Sequence, residues 1–141
     1  FNVTIDALIK KDDKLNLFYT TDGSIDFTQI EPLWFEAKGS DQVQKIVYHL
    51  PAGTLPTQIR LDFGMNKEQE DVVLNSISME YKGKTKTIGM MELKNYFMPD
   101  ESKCTFDPET GTIKAKLNNG VKNYSLYPQE ALSAEISKLL Q

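Results

Sequence analysis

Apolar and polar positions alternate with a period of two along much of this chain. Phe1, Val3, Ile5 and Ala7 alternate with Asn2, Thr4, Asp6 and Leu8. Period two sends successive side chains to opposite faces of a strand, so residues 1–8 predict a half-buried β-strand. Similar runs predict strands over residues 15–20, 33–37, 43–50 and 57–63. Residues 72–81 are the longest candidate. Strict alternation there puts Val72, Leu74, Ser76, Ser78 and Glu80 on one face, and Val73, Ile77, Met79 and Tyr81 on the other.

Turn chemistry separates these runs. Asp22-Gly23 and Gly39 end two of them, and a Pro/Gly-rich loop joins residues 43–50 to 57–63. Residues 66–71 form a charged polar loop. Lys82-Gly83 and the segment 107–111 mark further tight turns. Asn119-Gly120 supplies the positive φ values of a type I′ turn, which predicts a hairpin between residues 113–117 and 121–126. Two segments read as helical. Residues 91–97 gather Met91, Leu93, Tyr96 and Phe97 on one side and stop before Pro99. Residues 128–140 carry Leu132, Ile136, Leu139 and Leu140 at helical spacing, with Pro128 suited to the first turn. That apolar stripe needs a partner, either the sheets or a further domain or chain.

Nine or ten short strands with hairpin turns predict an all-β chain, an antiparallel two-sheet β-sandwich with a short helix near 91–97 and a C-terminal helix. With no repeat and no internal linker, residues 1–141 read as one domain. Ile46, Tyr48, Ile59, Leu61 and Phe63 are the predicted core of the two central strands.

Charge narrows the partners. The net charge is −4 and the pI about 5.0, with lysines scattered. Nucleic acid and anionic membranes both require a concentrated basic field, so neither is expected. A single cysteine, Cys104, excludes an internal disulfide and a cysteine-based zinc site. No apolar run is long enough to cross a bilayer. The chain opens on Phe1 without an initiating Met or a signal peptide. The expectation is a piece of a longer precursor; a leader omitted by choice would look the same.

Candidate chemistry is sparse. His49, the only histidine, sits in mid-strand, and no nucleophile-elbow pattern surrounds any serine, so no enzyme is expected. Cys104 reads as a small buried residue. Asp12-Asp13, Asp22/Asp26 and Asp107/Glu109 are the candidate ligands of a structural calcium. None matches a calcium-loop pattern, and solvated turn residues with no cofactor are the expectation. Arg60, the only arginine, shares a strand face with Asp62. Trp34 is the only tryptophan. Sugars lay apolar C–H faces on aromatic rings while polar groups bind their hydroxyls. Tyr19, Trp34, His49, Arg60 and Asp62 would supply that mixture if they converged. The plainer expectation puts Trp34 in the core and makes Arg60 and Asp62 a clip between neighbouring strands.

The ordered segments Phe18-Tyr19-Thr20, a strand ending in Leu50-Pro51, the run IRLDFG from Ile59 to Gly64, and VVLNSISME from Val72 carry a resemblance. So does Leu93-Lys94-Asn95-Tyr96-Phe97 with the following Pro99-Asp100. Together they resemble galactose-binding-like and carbohydrate-binding modules. These are accessory β-sandwich domains in extracytoplasmic parts of bacterial polysaccharide glycosyltransferases and related membrane proteins. The resemblance covers roughly the first two thirds of the chain. It implies a jelly-roll-like sandwich and an extracytoplasmic address, periplasmic or cell-surface, tethered through segments absent from this chain. It fixes no ligand and no binding motif. Two functions follow as expectations: a noncatalytic sugar-binding module, or a structural or protein-interaction domain of a membrane-anchored assembly.

Overall fold

The computed structural model describes residues 1–141. Strand outweighs helix, 47% against 12%, so the all-β expectation holds at the level of class. The strands are β1 (Asn2–Leu8), β2 (Asp13–Thr20), β3 (Leu33–Ala37), β4 (Gln44–His49), β5 (Gln58–Asp62), β6 (Val72–Tyr81) and β7 (Lys84–Gly89). A 3-10 turn, Met90–Asn95, precedes β8 (Phe97–Pro99), β9 (Cys104–Asp107), β10 (Thr112–Ala115), β11 (Leu117–Asn118), β12 (Val121–Lys122) and β13 (Ser125–Pro128). The chain ends in α1 (Glu130–Leu140). Every pairing is antiparallel. One sheet has the order β4-β1-β6-β10-β9, with β7 also on β6; the other has the order β3-β2-β5-β13-β8.

The chain passes repeatedly from one sheet to the other. β4 and β5 are consecutive in sequence, yet β4 lies beside β1 and β5 beside β2. The Pro/Gly-rich loop between them is therefore a crossing and not a hairpin. Lys82 and Gly83, at φ 48° and 80°, form the two-residue turn of a true hairpin between β6 and β7. Asn119 and Gly120, at φ 51° and 78°, do the same for β11 and β12. That second hairpin is only two residues deep and pairs with neither large sheet.

One core joins the two sheets. A continuous cluster of buried apolar side chains takes Val3, Ile5 and Met79 from the first sheet and Leu15, Leu17 and Leu126 from the second. Ile46, Tyr48, Ile59, Leu61 and Phe63 all lie within it, as the alternation predicts. β6 departs from strict alternation. Val72 and Leu74 are buried, and so are Ile77 and Met79. The inward phase changes because Asp6 pairs with Ser76 and Ala7 with Leu74, leaving Asn75 as the extra residue of a β-bulge.

The helical expectations are met in part. Residues 90–95 form a 3-10 turn that buries Leu93, and Phe97 belongs to β8. Pro128 ends β13 and does not start the helix, whose N-cap is Gln129. Leu132, Ile136 and Leu139 are buried, and α1 lies against β5, β6, β7 and β13. The stripe is thus covered by this chain's own sheets.

Candidate functional site

Alternation along β2, β3, β5 and β13 divides the second sheet into a core face and an outer face. Leu15, Leu17, Tyr19, Ile59 and Leu61 point to the core. Arg60 and Asp62 lie on the outer face, and so does Trp34. Tyr19 is buried and cannot share a surface with them. His49 is exposed on β4 of the other sheet, where Nδ1 lies 2.8 Å from the Asn2 side-chain oxygen. Of the five residues singled out from sequence, only Trp34, Arg60 and Asp62 occupy one face.

Arg60 and Asp62 engage each other. Arg60 Nε donates to Asp62 Oδ1 at 3.0 Å, and its terminal nitrogen donates to Oδ2 at 2.7 Å. Ser125 on β13 donates to the same Oδ1 at 2.8 Å. The guanidinium sits 4.4 Å from the Phe18 ring centroid and 4.9 Å from that of Tyr127. Phe27, from the segment joining β2 to β3, is buried with its ring edge on Tyr127. These contacts link β2, β5 and β13, and the two side chains keep only 15% and 19% of their exposure.

Trp34 has the opposite surroundings. It is 54% exposed on β3, the edge strand, and is not a core residue. The flanking Leu33, Phe35 and Ala37 turn inward, which sends Trp34 and Glu36 outward. Two adjoining depressions lie beside it. One of about 230 Å³ is lined by Trp34, Lys14, Glu36 and Met65. The other, of about 480 Å³, shares Lys14, Glu36 and Met65 and extends to Asp12, Lys38 and Asn66. Lys14 and Glu36 face each other across β2 and β3, yet neither enters any of the molecule's ion pairs. Met65 is half exposed.

The wall of this groove is fixed from below. Asp13 is buried, and its Oδ1 accepts the Lys14 and Met65 amides, each at 2.9 Å, and the Asn66 amide at 3.2 Å. Its Oδ2 accepts Gln69 Nε2 at 3.0 Å. Gly64, at φ +111°, brings the chain so close that a Cβ there would overlap the Asp13 carboxylate. Gln69 is fully buried and bonds both the N–H and the C=O of Lys11 at 3.0 Å. Asp12 accepts the Gly39 amide at 2.8 Å and lies 3.6 Å from Lys38. The Gly39 amide, then Lys38, holds the Asp12 carboxyl below the usual carboxylate range.

Sequence reasoning missed Lys14, Glu36 and Met65 as a surface, and Asp13 and Gln69 as its support. The outward side of β3 was legible in the alternation. The burial of Gln69, inside a charged loop, carried no signal.

The acidic pairs considered for calcium serve as turn and loop acceptors. Asp22 takes the Ser24 amide, Asp26 the Thr28 amide and Asp107 the Glu109 amide. No group of three or more His, Cys, Asp or Glu side chains is gathered to hold a metal. Cys104 is buried, with Sγ 3.3 Å from the Ser125 carbonyl oxygen, and burial pushes its thiol pKa up. No helix is long and apolar enough to cross a membrane. No protein-family model, curated protein or solved structure matches the chain.

Proposed function

We propose that this chain is a noncatalytic carbohydrate-binding domain, with its two sheets stacked as a β-sandwich of the galactose-binding-like, jelly-roll kind. Its setting in this reading is extracytoplasmic, as an accessory part of a bacterial membrane-anchored protein of polysaccharide metabolism. The single observation that carries the binding reading is Trp34. A large apolar ring left half exposed beside a groove that also offers an unpaired ammonium and an unpaired carboxylate is suited to a ligand that is apolar on one face and rich in hydroxyls at its edge. The wall of that groove is held by Asp13 and Gln69, so little ordering is needed on binding.

The noncatalytic part of the reading draws on His49, whose ring meets the Asn2 side chain and not a nucleophile or a carboxylate. The competing docking reading loses its best surface, because the apolar stripe of α1 is buried within the chain.

A glycan array followed by calorimetric titration tests the proposal. Trp34→Ala is expected to lower affinity for the selected glycan by at least about tenfold, as loss of an aromatic anchor does, with an unchanged melting temperature. Binding that survives Trp34→Ala would remove the site from the proposal. Failure of every glycan on the array would remove the function.

A further inference from the structure

We infer that the groove takes the interior of an extended, uncharged glycan chain across two subsites, one on Trp34 and the other between Asp12 and Lys38. This rests on the carbohydrate reading above and adds the ligand's length and charge.

Length comes from the shape of the groove. The two depressions, of about 230 and 480 Å³, share Lys14, Glu36 and Met65 and so form one surface. Pockets that enclose a small organic ligand run to about 300–1,000 Å³. A single sugar on Trp34 would leave the larger depression empty. β3 pairs only with β2, so nothing in its own sheet lies beyond Trp34 on the outer side. A chain can therefore run past the ring and does not have to end there. Met65 lies in both depressions and offers an apolar contact where they meet. The Asp13 bond to its amide fixes its backbone.

Charge comes from what the groove's ionised groups already do. Asp13 is fully engaged by N–H donors. Asp12 is countered by Lys38 at 3.6 Å. The remaining two, Lys14 and Glu36, are of opposite sign and stand directly opposite each other across β2 and β3. The larger depression is lined by three carboxylates (Asp12, Asp13, Glu36) and two ammoniums (Lys14, Lys38), so no positive field is left to select an anionic polymer. Lys14 donates and Glu36 accepts, which suits hydroxyl groups. The Lys38 side chain keeps 91% of its exposure, and its 3.6 Å contact with Asp12 is a long, solvent-exposed pair that holds it weakly, so it can turn to a second sugar.

The test is calorimetry on the 141-residue chain with neutral galactan, glucan, mannan and xylan oligosaccharides, from mono- to hexasaccharide. For the series that binds, affinity is expected to rise at least about tenfold from mono- to tetrasaccharide, in line with adding a second linked site. It is expected to change little with salt. Lys38→Gln, on the exposed end of the groove, is expected to weaken the tetrasaccharide several-fold and leave the monosaccharide unchanged. A monosaccharide as tight as the tetrasaccharide, with Trp34 still required, would overturn the two-subsite inference alone. So would a steep salt dependence, or a Lys38→Gln variant indistinguishable from wild type on the tetrasaccharide. Absence of binding to every series would overturn the carbohydrate reading itself.

Discussion

Arg60 and Asp62, two residues apart on β5, form a two-bond ion pair of 3.0 and 2.7 Å on the covered part of the second sheet. The guanidinium is also stacked between Phe18 of β2 and Tyr127 of β13. Removing it leaves the mostly buried Asp62 carboxylate with Ser125 as its remaining side-chain donor. Arg60→Ala is therefore expected to cost about 2–3 kcal/mol, between the small value of a surface pair and the larger one of a buried pair. Arg60→Lys should recover only part, because an ammonium does not reproduce the planar fork or its stacking. Chemical denaturation measures both. The Arg60→Ala variant should bind glycan normally in its folded fraction; a stability change within about 0.5 kcal/mol, the usual surface scatter, would show that the clip is idle.

The pair was readable as a pair, since period two puts Arg60 and Asp62 on one face. Its partners were not, because Phe18 and Tyr127 come from strands far apart in sequence. The same division runs through the fold. Core positions of β4 and β5 followed from alternation, but sheet membership did not: residues 43–63 contain no signal that one strand joins β1 and the other β2. Strict periodicity failed in β6 because the bulge at Asn75 shifts the inward phase by one residue. Trp34 shows the reverse. Its neighbours Leu33, Phe35 and Ala37 predict that it points outward, and the general tendency of tryptophan to be buried predicts the core; the local pattern was the better guide. Gln69 was unreadable, because its burial depends on Lys11, in the connection between β1 and β2, and on Asp13, at the start of β2, both far away in sequence.

Gly64 and Asp13 set a second expectation. A side chain at Gly64 would need φ near +111° and would overlap the Asp13 carboxylate. Gly64→Ala should destabilise by about 2–4 kcal/mol, combining backbone strain with a displaced buried acceptor. Asp13→Asn keeps the shape but replaces one acceptor oxygen by a donor group. It should loosen the loop that carries Met65 and speed amide hydrogen exchange at Met65 and Asn66. Unchanged exchange there would mean that the loop is held by other contacts.

Cys104 gives a direct probe of the core. Its side chain is fully buried in the core cluster, and burial raises its pKa, so the thiolate that reacts with alkylating agents is scarce in the folded state. Labelling by an alkylating reagent is expected to be slow at neutral pH and to become rapid only in denaturant. Its rate should follow unfolding measured by circular dichroism. Quick labelling of the native chain would place Cys104 outside the packed interior.

Tyr124 links the same interior to pH. The ring is buried, and its one hydroxyl proton lies within reach of two carbonyl acceptors, Glu70 at 2.9 Å and Gln69 at 3.2 Å. Burial, followed by the nearby Asp71 and Asp13 charges, pushes its pKa up to about 12 from an ordinary value near 10. The folded state thus favours the protonated phenol. The associated stability is complete below pH 10 and is lost as pH rises from there toward about 12. Thermal unfolding should show a fall in melting temperature over that window, and tyrosinate absorbance should show a late-ionising group. Tyr124→Phe should reduce the alkaline fall without abolishing it, since burial raises the Tyr48 pKa as well. It should lower stability at neutral pH by about 1–2 kcal/mol through the lost bond to the Glu70 carbonyl; the Gln69 carbonyl keeps Lys122 Nζ at 2.8 Å. If the fold stays intact while every tyrosine ionises near pH 10, Tyr124 does not hold the loop at residues 69–70 to the core.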